Sequence, residues 1–367
     1  MSKTGTLPLQ KGIWWKEWRQ VASMGLVFVL TLLVWTLNQT ASSLERVGMW
    51  VEKGLPIPTP TPIGVEWPVL LLAGFALALG VLQMGSERNG LDRFTFFLPY
   101  PRAKIFFVKF ALGTAIIGAA ILIAAGANVA LYYSSPMAAH VAFDPDWAAR
   151  MGLVFLDVVT FYALVLFMGA LAGTPYYQIA LSLIFGVYVA GAAVLFRAFL
   201  IVHLAGLPIP IVRILEKIPF LTLLDAFATD EALRFLIGVS PLMHGLSYMF
   251  SNRLPIGALT TDLHEAAWAY LPYDAILLAL FVALGALAYR GTRLELSGRM
   301  LVLPKVRPLF LWAVPLHFGL LAGYVSILFS NAEGPLSPFF VVRYDLIGLL
   351  VGYAVFRWMK GALYSQK

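Results

Sequence analysis

Apolar and polar positions alternate along this chain in long blocks. Eight apolar stretches, at residues 22–38, 67–86, 105–133, 151–172, 179–202, 270–289, 309–330 and 341–359, are separated by short charged segments. A helix needs about 20 apolar residues to cross a hydrocarbon core, and each stretch has about that length. They are too long for barrel strands, and a lipid-facing backbone must satisfy its own hydrogen bonds, so helices are predicted. The pattern predicts an all-α integral membrane protein, a polytopic bundle of about eight transmembrane helices.

Composition strengthens that reading. Hydrophobic residues make up 60% of the chain and charged ones 12%, where a soluble domain carries about 25% charged. A length of 367 residues would ordinarily suggest two or three domains. No gap between the stretches is long enough for a soluble one, and the longest, 204–269, is itself rich in Leu, Phe and Pro. Residues 1–367 are therefore read as a single membrane domain. The absence of cysteine excludes disulfides, Fe–S clusters and thiolate chemistry. The first apolar run exceeds the 7–15 residues of a typical signal peptide, so it is read as a retained anchor.

Basic residues give the orientation. Lys3, Lys11, Lys16 and Arg19 precede the first stretch, and Arg88, Arg93, Arg102, Lys104 and Lys109 follow the second. Arg290, Arg293, Arg299, Lys305 and Arg307 fall between the sixth and seventh, and Arg357, Lys360 and Lys367 close the chain. Most of the acids lie in the other segments. The positive-inside bias puts these basic segments, and both termini, in the cytoplasm of a multi-pass protein of the cell membrane. The net charge of +7 is thus topological, and no nucleic-acid partner is needed to explain it.

Two cytoplasmic segments stand out. In residues 8–20, Trp14, Trp15 and Trp18 share one helical arc, with Lys16, Glu17, Arg19 and Gln20 opposite. Indole rings favour the headgroup level, which predicts an interfacial helix before the chain turns inward. The rival reading is an aromatic belt flanking a span. In residues 86–104, Leu91, Phe94, Phe97 and Leu98 recur at helical spacing against Arg88, Asp92 and Arg93, until Pro99 and Pro101 stop the helix. This predicts an amphipathic cytoplasmic helix offered to a cytosolic partner. The rival is a solvated turn whose charges only fix topology.

Glu87, Gly90, Asp92, the Leu98–Pro99 pair, Arg102 and Lys109 resemble the first cytoplasmic loop of exporter-type (type-two) ABC transporter permeases. There a Glu-x-x-Gly-x-Glu/Asp run leads through an apolar helix to Leu-Pro and a basic residue. Lys16–Arg19 looks like the family's amphipathic lead-in helix, and Ser240-Pro241-Leu242 is similar to an element before its later spans. Tyr289-Arg290 through Glu295 and Gly298 to Pro308 looks like the corresponding loop of the Gram-positive branch with eight spans. Asp92 stands where Glu is more usual, and Tyr100-Pro101 makes the exit stiffer than in most members. The resemblance implies a permease subunit that pairs with a second one, as homo- or heterodimer, among membrane lipids. It also implies a coupling helix fitting a groove on a cytosolic ABC ATPase subunit. Glu87, Arg88, Gly90, Asp92, Arg93, Phe94, Phe97, Leu98, Pro99 and Arg102 are its ATPase-coupling residues. ATP and Mg would sit in that partner; the chain would bind no cofactor and would not be an enzyme by itself. Gly85 and Gly90 have the spacing of a phosphate loop, but Leu91-Asp92 replaces the Lys and Ser/Thr that grip phosphate and Mg²⁺.

Other chemistry is sparse. The five histidines are scattered without metal-ligand spacing, so no metal site is expected. Gly169/Gly173, Gly319/Gly323 and Gly348/Gly352 allow close helix approach, within the chain or, as the minority reading, between subunits. On the outer side, Pro56–Pro62 reads as a stiff spacer. In residues 204–269, helix starts at Thr229 and Ser240 suggest short helices that close or plug the bundle. The alternative function is an intramembrane enzyme acting on lipid or lipid-linked substrates. It calls for polar groups converging at one depth, yet the intramembrane ones are few: Asp157, Arg197 and His317, with Asp274 and Asp345 near the outer ends. Asp157 and Arg197 lie at similar depth on stretches joined by a short turn, which predicts a salt bridge; the rival has Arg197 snorkelling to headgroups.

Overall fold

The structure, a computed structural model, describes residues 7–55, 69–88, 100–140, 147–204, 263–292, 300–301, 304–328 and 338–364. Each of the eight apolar stretches has an α-helix over all or nearly all of its described residues. These are α1 (Leu7–Glu52), α2 (Val69–Arg88), α3 (Arg102–Ser134) and α4 (Trp147–Leu171), then α5 (Pro175–Leu204), α6 (Leu263–Gly291), α7 (Arg307–Leu328) and α8 (Pro338–Tyr364). Among the described residues, six helical segments are long and apolar enough to cross a membrane: within α1, α3, α4, α6 and α8, and in α7 with the turn before it. The fold is that of an all-α, multi-pass membrane protein.

The sequence reading expects the chain to turn between an interfacial helix at 8–20 and the first span. Instead α1 runs unbroken through both. No Gly or Pro lies between Ile13 and Met24 to break it, and the apolar spacing carries through the junction. The helix also continues past residue 38, where the first apolar stretch ends. At 1.5 Å per residue α1 is about 69 Å long, more than twice the ~30 Å hydrocarbon core. Its far end is held by a small apolar cluster of Leu44, Val47 and Tyr132, with Trp50, Met137 and Ala138 packed against it. Met137 and Ala138 belong to a 3₁₀ turn, Pro136–Ala139, that Ser135 caps at the end of α3.

By its internal contacts the chain divides into two compact units. The first comprises Met1–Ala170 and Gly245–Arg290, the second Leu171–His244 and Gly291–Lys367.

In the first unit α1 and α3 run parallel along most of their length. Glu17 meets Lys109, a Cβ on Gly25 would touch Ile116, and Thr40 hydrogen-bonds Asn128. The chain returns between them through α2, where Phe75 packs on Phe28 and the Leu82 carbonyl accepts from Gln20. α4 is largely buried and runs antiparallel to α3, with Tyr162 beside Gly113 and Phe155 beside Gly118. Phe167 stacks on Phe281, and Thr160 donates to the Asp274 carbonyl, which aligns α4 with α6.

In the second unit α7 and α8 are antiparallel and touch through glycine. A Cβ on Gly319 would come within 2.9 Å of the Gly348 carbonyl oxygen, and one on Gly352 within 3.3 Å of the Pro315 carbonyl oxygen. These glycines thus serve contact within the chain, where small residues let helix backbones approach. α5 lies parallel to α7, pairing Phe185 with Phe310 and donating from the Tyr188 hydroxyl to the Ala313 carbonyl. Thr174 caps the start of α5, accepting from the amide of Tyr177.

Candidate functional site

Five helices of the first unit bring polar side chains to one point near the N-terminal ends of α1 and α3 and the C-terminal ends of α2 and α6. Lys109 stands at the centre. Its ammonium lies 2.8 Å from Glu17 Oε2, 3.1 Å from Glu87 Oε1 and 2.7 Å from the Gln83 carbonyl oxygen. An ammonium has three protons, and three oxygens surround this one. Glu17 and Lys109 are fully buried and Glu87 is 1% exposed.

A second tier closes around this centre. Tyr289 of α6 donates to Glu87 Oε2 at 2.7 Å. The Lys109 carbonyl lies 2.9 Å from the Tyr162 hydroxyl and accepts from Gln83 Nε2 at 3.3 Å. The Tyr162 hydroxyl also meets Gln83 Oε1. Gly113 makes room for Tyr162, since a Cβ there would fall on the phenol. Phe106 lies against Tyr289 and Gly285.

Two carboxyl groups share one ammonium at the centre, and half-buried Lys16 stands 3.8 Å from Glu17 Oε1 at the rim. Charges taken out of water are costly unless paired and hydrogen-bonded, so the arrangement depends on Lys109. It joins α1, α2 and α3 at the foot of the segment that links α2 to α3.

The residues singled out in the sequence fare differently. Glu87 turns its carboxylate into the bundle, where it anchors α2; it is not a surface group. Arg88 ends α2 with its side chain outside the described residues, as are Gly90, Asp92, Arg93, Phe94, Phe97, Leu98 and Pro99. Arg102 is the first residue of α3, after Pro101, whose carbonyl accepts from the Lys104 and Ile105 amides. Trp14, Trp15 and Trp18 are exposed on α1 while Glu17, on the opposite face, is buried. Asp157 is buried on α4; Arg197 lies on α5 with its side chain outside the described residues, and so does the salt bridge expected between them. The outer segment 205–262 is also outside.

Sequence reasoning missed Gln83 and Tyr162 altogether, met Tyr289 only as the start of the later loop, and met Lys109 only as a cytoplasmic basic residue at the end of the first loop's motif. The available signal was cost: an amide at Gln83 and an ammonium at Lys109 each sit inside an apolar stretch, where a polar group requires a partner. Comparison with protein-family models, with curated proteins and with solved structures finds no match for this chain.

Proposed function

We propose that this chain is the membrane-spanning permease subunit of an ATP-driven exporter, crossing the cell membrane eight times with both termini in the cytoplasm. Separate cytosolic ATPase subunits hold ATP and Mg and perform hydrolysis, and a second permease subunit completes the translocation path. Residues 87–102, which carry the motif resembling a coupling loop, are where the ATPase docks.

The observation that supports this reading is how that segment is rooted. One of its feet carries Glu87, and seven residues past the other stands Lys109, which pairs with both Glu87 and Glu17 of α1. A docked subunit can move a bundle only through a loop whose feet do not yield. Ion pairs between three helices, completed by Tyr289 of a fourth, supply that stiffness. The test is whether an ATPase associates with the chain through the apolar positions of the loop.

The convergence of Glu17, Gln83, Glu87, Lys109, Tyr162 and Tyr289 at one depth favours the second reading, an intramembrane enzyme, more than the sequence does. Its geometry argues the other way. Lys109 is hydrogen-bonded to Glu17 and the Gln83 carbonyl and ion-paired with Glu87, and Tyr289 donates to Glu87. An acid or base needs a free site within reach of a reacting atom. The enzyme reading requires turnover of a lipid by the purified chain without ATP.

A further inference from the structure

Where α7 and α8 meet through glycine, a groove of about 540 Å³ runs beside their seam, within the ~300–1,000 Å³ of small-molecule sites. Gly319, Gly348 and Gly352 line it, with Leu316 and Leu349 at its sides. Trp312 and Phe356, whose rings are 5.2 Å apart, close one end. Phe199, Tyr344 and Asp345 stand at the other. From Asp345 to Phe356 helix α8 rises about 16 Å, roughly half of a ~30 Å hydrocarbon core. The groove therefore has the length of one leaflet and a single carboxylate at one end.

That carboxylate has capacity to spare. His203 Nε2 lies 3.0 and 3.2 Å from its two oxygens, and His203 Nδ1 lies 2.8 Å from the Phe199 carbonyl oxygen. A carbonyl only accepts, so the Phe199 oxygen takes a proton from Nδ1, and Nε2 faces the carboxylate. A carboxylate offers about four acceptor sites, and the Asp345 side chain is 45% exposed. The rings of Phe199 and Tyr344 flank His203 at 4.0 and 5.8 Å and hold it against the carboxylate.

We infer that this groove binds one acyl chain of a phospholipid whose headgroup carries a primary ammonium. The chain lies along the glycines and the ammonium donates to Asp345. A lateral apolar groove in a bilayer is filled by lipid; the carboxylate at its end selects which lipid. An anionic headgroup meets a like charge there, and a quaternary one brings no N–H donor. The site is independent of the transport reading.

The full-length chain, purified from bilayers of equal phosphatidylethanolamine, phosphatidylcholine and phosphatidylglycerol, is examined for retained lipid by native mass spectrometry. The expected result is retention of the ethanolamine lipid over either competitor by about tenfold, the worth of one charge-assisted hydrogen bond. Asp345→Asn keeps a lipid but loses the preference. Leu349→Trp, at a position exposed in the structure and clear of the glycine seam, fills the groove and abolishes retention. Wild-type retention of ethanolamine no better than either competitor, unchanged preference in Asp345→Asn, or undiminished retention in Leu349→Trp overturns the inference. So does a groove covered by a second copy of the chain in place of lipid.

Discussion

Lys109 and Glu17, 92 positions apart in the chain, meet at 2.8 Å with neither side chain exposed. Because Glu87 stands on the other side of the same ammonium, the three groups are not equivalent. Removing Lys109 leaves two buried carboxylates facing each other, whereas neutralising Glu17 leaves one matched pair. Lys109→Ala is expected to cost ~3–5 kcal/mol and Glu17→Gln distinctly less. Thermal unfolding of the detergent-purified variants checks the order; equal effects would contradict the shared-ammonium arrangement.

Gly113→Ala places a methyl group on the Tyr162 phenol. Overpacking of this kind costs ~1–3 kcal/mol. Tyr162→Phe does not relieve it, because the ring carbons are in the way as well as the hydroxyl. Tyr162→Leu in the same chain is expected to recover part of the loss. Full additivity of Gly113→Ala and Tyr162→Leu in the melting temperature would show that the two residues do not touch.

The glycines of α7 and α8 give a third expectation. Gly348→Leu drives a side chain into the Gly319 backbone and separates the helices, so the folded chain should lose stability with its subunit stoichiometry unchanged. A change from dimer to monomer by light scattering, at constant stability, would return these glycines to a role between subunits.

The sequence made the helices legible because membrane-spanning length is written in composition: each of the eight apolar stretches has a helix over all or nearly all of its described residues. Their ends were less legible. α1 continues to Glu52 because Leu44 and Val47 find Tyr132, a partner 85 or more residues away that no local window contains. Glu17 was read as part of a polar face turned to water or headgroups. In the structure the tryptophans stay exposed together with Arg19, while Glu17, between Ile13 and Val21 on the buried face, turns in to meet Lys109. That inversion hid the cluster. Gln83, Tyr162 and Tyr289 each stand singly in their segments and converge only when five helices are assembled.

Orientation is open to a clean test, because the chain has no native cysteine. Cysteines placed singly at Ser2, Ser86, Ser297 and Ser365 are expected to be shielded from a membrane-impermeant thiol reagent in intact cells. Ser43→Cys, Ser134→Cys and Ser251→Cys should be labelled; Ser134 is already exposed at the end of α3. Labelling of Ser297→Cys from outside would contradict the eight-span topology.

The central claim is that an ATPase docks on residues 87–102, with Phe94, Phe97 and Leu98 as apolar anchors and Arg88, Arg93 and Arg102 at the rim. Buried aromatic anchors carry much of an interface's energy, each worth ~1 kcal/mol or more. The most direct measurement is ATP hydrolysis by the complex captured on the tagged full-length chain from its own host's membranes, for wild type and for Phe94→Ala with Phe97→Ala. Wild type is expected to bring down a nucleotide-hydrolysing subunit, and the double variant to lose that subunit or its coupled activity while remaining folded in the membrane. Equal ATPase recovery and activity with the double variant, or none with wild type, would contradict the account.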